Sequence, residues 1–233
     1  MPPSRFQVLI AWSVHAFTAS GALAALAALL EIAAGELGHA ALWMLVALSI
    51  DSVDGFLARA ADVSRVVPAI DGRRLDDLVD FLNYVIVPVV FMLAIGALEP
   101  PIVAALPILA SCYGFSQREA KTEDAFFLGW PSYWNVVAIS VWLLELSSGM
   151  ATAVVVVCAI LVFVPFKYVY PSRMSAQKLA TNLGALGWIL LMAYASLDPE
   201  RARALRLPEL SLLYPAYYVG ISVRQGGWLR RGN

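Results

Sequence analysis

Residues 51–80, DSVDGFLARAADVSRVVPAIDGRRLDDLVD, join two long apolar segments and carry acids where each segment enters its apolar run. Asp51 and Asp54 are three residues apart, Asp76 and Asp80 four, and either spacing places both carboxylates on one face of a helix. Gly55 and Ala58 continue the first face, and Gly72 sits one turn before Asp76 on the second. Arg59 and Arg73 mark the two helix ends. Asp51 lies eight residues before Arg59 and Asp80 eight after Gly72, so both carboxylates sit about 12 Å inside their segments. That shared depth lets the two acidic pairs face each other across one small site.

Four ionised carboxylates cannot share such a site unaided. At about 6 Å and an effective dielectric near 20, each pair repels by roughly 3 kcal/mol, and the whole set by roughly 15 kcal/mol. That cost rivals the stability of a domain. Either some of the acids are protonated or divalent cations sit among them. Oxygen-only ligands with no His or Cys beside them suit Mg²⁺ or Mn²⁺, and two such ions balance the charge. Small residues beside the acids and arginine at the rim suit a phosphate-bearing ligand. The spacing therefore reads as a two-metal site for phosphoryl transfer at a membrane surface.

The composition agrees: 61% hydrophobic, 14% charged and a mean hydropathy of +0.74 exclude an ordinary soluble domain. The expected fold class is all-α, a polytopic transmembrane bundle of about eight spans forming one domain over residues 1–233. A short interfacial helix over 4–13 leads into spans near 16–33, 41–60, 72–98, 102–115, 134–146, 151–165, 179–195 and 210–223. The one long polar loop is 116–133. Cys112 and Cys158 read as buried packing residues. His15, Thr18 and Ser20 sit near the inner end of the first span, either bonded locally or helping to hold a nucleotide or phosphate.

With both termini inside, all of the 16 basic residues except Arg201, Arg203 and Arg206 fall on the cytosolic side, as the positive-inside rule requires. The acidic site then opens to the cytosol. Acids at membrane depth are expensive, so Asp51, Asp54, Asp76 and Asp80 default to function. Asp71 and Asp77 lie off the shared face and read as rim charges.

The pattern Asp51-x2-Asp54-Gly55-x2-Ala58-Arg59, followed by Gly72-x3-Asp76-x3-Asp80, resembles the signature of the CDP-alcohol phosphotransferases. All its positions are filled. The spacer over 60–71 is longer than that family usually has and is similar to that of the bacterial phosphatidylcholine synthases, as are AKTEDAFFLGWPSYWNVVA (120–138) and YVYPSR (168–173). The resemblance implies that Asp51, Asp54, Asp76 and Asp80 hold two divalent ions, Mn²⁺ or Mg²⁺, with Asp80 also the base that activates the alcohol. It implies that Gly55, Ala58 and Gly72 leave room for the CDP moiety while Arg59 secures the acids or a phosphate. Its substrates would be CDP-diacylglycerol and choline, its product besides CMP a phospholipid. The site would lie in the bacterial inner membrane, in a homodimer.

A quaternary ammonium favours aromatic faces with a carboxylate nearby. The candidates are Tyr84, Trp130, Tyr133, Trp134, Tyr168 and Tyr170, with Glu119, Glu123 or Asp124 for the charge. Such aromatics also line membrane interfaces without binding anything. Lys121, Lys167 and Arg173 either bind lipid phosphate or set topology. The rival readings are the same reaction with serine, inositol or glycerol phosphate, an intramembrane prenyltransferase, and a cation transporter.

Overall fold

The computed structural model describes residues 2–174 and 177–228. The chain folds into apolar helices crowned at one end by a small sheet. Helix α1, Arg5–Ala34, is a single helix of 30 residues, about 45 Å long. Ser4 caps it reciprocally with Gln7, and Gly35 closes it with a left-handed φ of 81°. The separate interfacial helix expected over 4–13 is therefore absent. Nothing in that segment breaks a helix, so it simply forms the first turns of α1.

Helices α2 (Leu37–Ala60) and α3 (Gly72–Ala94) pack against α1, and with α7 (Lys178–Leu197) all four are long and apolar enough to cross a membrane. Between them in sequence come the shorter α4 (Pro101–Ser116), α5 (Trp134–Leu143) and α6 (Ser148–Phe163), and after them α8 (Leu213–Gln225). The expected spans each find a helix, though α3 stops at Ala94 and α5 at Leu143. At about 15 Å, α5 is too short to cross the hydrocarbon core. Trp134, Ala138, Ile139, Val141 and Leu143 are buried, which makes α5 a core element.

Close packing depends on small residues, as expected where lipid supplies no hydrophobic drive between helices. A Cβ on Gly21 would meet Val79 at 2.6 Å, and one on Gly38 the Ser196 carbonyl oxygen at 2.4 Å. Asn83 fastens the first of these approaches by donating to the Gly21 carbonyl at 2.9 Å. Cys158 is half-buried and Cys112 is exposed on α4, so only the former fits the packing role expected of both.

The sheet was not legible as such. Strands β1 (Phe126–Leu128), β2 (Phe166–Val169) and β3 (Gly227–Trp228) pair antiparallel in that order, with Phe127 opposite Tyr168 and Phe166 opposite Trp228. Three loops that the sequence places on one side are thereby tied together at one end of the bundle. At the other end, Arg203 binds Glu145 at 3.2 Å and donates to the Leu143 carbonyl at 3.0 Å.

Candidate active site

Helices α2 and α3 bring the acids of 51–80 together. Asp51, Asp76 and Asp80 each offer an oxygen, and these oxygens lie within 4.8 Å of one another. A hard divalent cation takes such a set of carboxylate oxygens, so the donors fit the metal that the sequence implies. Asp54 is buried at 5% exposure but stands outside this trio. Three residues along α2, Asp54 is displaced from Asp51 by about 4.5 Å of rise and roughly 60° of rotation.

Just past Asp80 the helix relaxes into a π-turn over Leu82–Ile86, closed by Val87 N–H donating to the Leu82 carbonyl. Such turns concentrate at functional sites because they re-aim side chains. Here the turn carries Asn83 toward α1 and Tyr84 toward α2. Tyr84 is buried and donates its hydroxyl to Asp51 Oδ2 at 2.6 Å.

From Tyr84 a run of aromatic rings leads to the sheet. Tyr133 lies 5.9 Å from Tyr84 and 5.9 Å from Tyr218, and Phe127 is 6.5 Å from Tyr133 and 4.4 Å from Tyr170. Tyr168 stacks on Tyr218 at 6.3 Å. Of the expected aromatics, Tyr84, Tyr133, Tyr168 and Tyr170 thus join one cluster. Trp134 does not: it is fully buried in the main core and spends its indole N–H on Ser111 at 2.8 Å. Trp130 packs edge-on against it at 4.6 Å. Asp124 pairs with Lys167 at 2.6 Å on the exposed rim, and that hydrogen bond holds its carboxyl below the usual range. Phe127 and Tyr218 escaped the sequence reading, since only the sheet and the last helix bring them here.

The basic residues are arranged differently from expectation. Arg59 is exposed and makes no ion pair with the acids among the described residues; it lies against Gly55, 3.3 Å from where a Cβ would sit. Arg65 pairs with Asp62. Asp71 caps α3 by accepting from Arg73 and Arg74 N–H at 3.1 Å each. The cation that does reach the acids is Lys121, 3.3 Å from Asp76 and 3.9 Å from Asp77. Burial pulls against its charge, but Asp76 and the neighbouring acids outweigh burial and hold its ammonium above the usual lysine range.

Ala58 packs in a small apolar cluster with Val63 and Val66. Gly72 makes room for a protein group: a Cβ there would lie 3.2 Å from Cε1 of His15. His15 is itself buried, with Nε2 unpartnered among the described residues and Trp12 edge-on at 6.0 Å. Thr18, one turn on, is buried as well.

No protein-family model matches the chain. Curated relatives do. A phosphatidylcholine synthase of Legionella pneumophila is 42% identical over 72% of this chain and 68% of its own length. That of Borreliella burgdorferi is 31% identical over 94% of this chain and 95% of its own, and that of Pseudomonas aeruginosa 34% identical over 91% and 90%. The last two of these similarities cover nine tenths or more of the chain. The chain belongs to the phosphatidylcholine synthases, a branch of the CDP-alcohol phosphotransferases.

Proposed function

We propose that this protein transfers the phosphatidyl group of CDP-diacylglycerol to choline, releasing CMP, at the site built on Asp51, Asp76 and Asp80. The observation that carries the reading is the convergence of these carboxylates beside a row of aromatic rings, in a chain related to phosphatidylcholine synthases along almost its whole length.

Asp51, Asp76 and Asp80 are the residues that would hold a divalent cation, with Asp54 completing the set for a second. Bound Mn²⁺ or Mg²⁺ would supply positive charge to the pyrophosphate. Tyr84 orients Asp51 through its hydroxyl. Asp80 accepts the proton of the choline hydroxyl, whose oxygen forms a bond to the β-phosphorus. The bond from that phosphorus to the bridging oxygen breaks, and CMP leaves with the oxygen. Tyr84 and Tyr133 present ring faces to the trimethylammonium group, which a ring quadrupole attracts. Gly55, with Ala58, leaves the α2 face low enough for the nucleotide, and Arg59 at the rim meets its phosphate.

The aromatic row favours choline over a phosphorylated acceptor, which would need several cations in its place. The chain is read as one domain, and the distribution of basic residues supports a bacterial inner-membrane location with both termini and the acids on the cytosolic side. A homodimer rests on the family resemblance, and crosslinking in membranes tests it. The reaction is tested by CMP release from purified protein, CDP-diacylglycerol and Mn²⁺ with choline, serine, inositol or glycerol phosphate offered separately. Release with choline alone, abolished by a chelator and restored by Mn²⁺, is the expected result; release with another alcohol alone overturns the choice of acceptor.

A further inference from the structure

Lys121 reaches the acids from outside the helices that carry them. It sits on the turn between α4 and β1, and its side chain is 23% exposed. The turn is clamped: Leu128 N–H donates to the Ala120 carbonyl at 3.0 Å, and Thr122 N–H to that of Phe126 at 2.8 Å. β1 is then fixed against β2. The sheet therefore delivers one ammonium group to Asp76 and Asp77. Among the described residues, no other lysine or arginine lies within ion-pair distance of Asp51, Asp54, Asp76 or Asp80.

That position conflicts with a cation on the same carboxylate. A dication held by Asp76 and an ammonium 3.3 Å from Asp76 Oδ2 repel each other across one group. Lysine is suited to resolve the conflict, because it carries a compact charge with three donors on a flexible stem and can change acceptor without leaving the site. The incoming ligand supplies such an acceptor, since the nucleotide-linked lipid brings a pyrophosphate to these acids. A charge-assisted N⁺–H···O⁻ bond to that group replaces the one given up.

We propose that Lys121 is a partner-switching substrate-binding residue: it neutralises Asp76 and Asp77 in the free protein and donates to the pyrophosphate of the bound CDP-lipid. This rests on the acids being the site of the reaction described above. A lysine that served only to tie the sheet to α3 would be indifferent to phosphate.

The test compares wild type with Lys121→Met and Lys121→Arg, each in detergent. Mn²⁺ binding is read from the paramagnetic signal of the free ion, and binding of CDP and of cytidine, with Mn²⁺ present, by calorimetry. In Lys121→Met, Mn²⁺ should bind more tightly, because a competing cation is gone, while CDP should bind about tenfold or more weakly. Cytidine, which has no phosphate, should be unaffected, and Lys121→Arg should recover part of the CDP affinity. The KM for CDP-diacylglycerol should rise with that for choline unchanged. Unchanged CDP binding in Lys121→Met overturns the proposal, as does an equal loss for CDP and cytidine. Both binding readouts require no turnover, so they decide the role of Lys121 separately from the identity of the acceptor.

Discussion

Tyr84 on α3 donates its hydroxyl to Asp51 Oδ2 on α2 at 2.6 Å, and so ties together the two helices that supply the acid trio. This is a charge-assisted bond in a buried setting, the kind that fixes the direction of a carboxylate. Tyr84→Phe keeps the ring and removes the bond. The variant should need about 10- to 100-fold more Mn²⁺ for half-maximal activity, as the loss of a group that orients a metal ligand usually does. Its KM for choline should hardly move. A Mn²⁺ titration of CMP release separates the two: a changed choline KM with an unchanged Mn²⁺ requirement would place Tyr84 in the choline pocket alone.

Tyr133 stands between Tyr84 and Tyr218, at 5.9 Å from each ring. Removing its ring by Tyr133→Leu should raise the KM for choline about tenfold or more, given about 2 kcal/mol for a desolvated cation–π contact. Tyr133→Phe should stay within a few-fold of wild type. Steady-state kinetics with choline varied against saturating CDP-diacylglycerol checks both. Equal damage from Leu and Phe would mean that the hydroxyl matters and the ring face does not.

Trp134 offers the contrast. It is fully buried and donates to Ser111, which in turn donates to Ser132 at 3.0 Å. Trp134→Phe leaves Ser111 without its donor in the core, at a cost of about 1–3 kcal/mol. Thermal unfolding in detergent should shift down by several degrees, with the choline KM unchanged in the protein that remains folded. A specific rise in that KM would return Trp134 to the substrate site.

Gly72 borders the His15 imidazole, and an added methyl would crowd Cε1 at 3.2 Å. Gly72→Ala should therefore lower activity several-fold by shifting α3 and its acids. Adding His15→Ala in the same chain removes the group that is crowded and should restore part of the loss. Double-mutant comparison of CMP release reads the coupling. Strict additivity would show that the glycine keeps space for the nucleotide instead.

Spacing alone located the acid-bearing helices, because charge at membrane depth is costly and a helix fixes which residues share a face. It could not say how α2 and α3 rotate against each other. That rotation admits Asp51, Asp76 and Asp80 to one cluster and leaves Asp54 beside it. The short strands were hidden in loops whose aromatics read equally well as interfacial anchors. Their pairing decides which rings stand near the acids: Phe127 and Tyr170 join Tyr133, while Trp134 turns into the core. Lys121 was visible as a charge, but only the clamped turn before β1 shows that it points to Asp76. For Arg59 the family resemblance implies a hold on the acids or on a phosphate; the fold leaves it exposed and, among the described residues, without an ion pair to the acids.

The central claim is that the carboxylate cluster transfers a phosphatidyl group to choline. Choline-dependent CMP release by purified protein with CDP-diacylglycerol and Mn²⁺, set beside Asp80→Asn, tests it most directly. The account predicts release in the wild type and a loss of about a thousandfold or more in the variant, since Asp80 is both a metal ligand and the base. Near-wild-type release by a folded, Mn²⁺-loaded Asp80→Asn protein would contradict it.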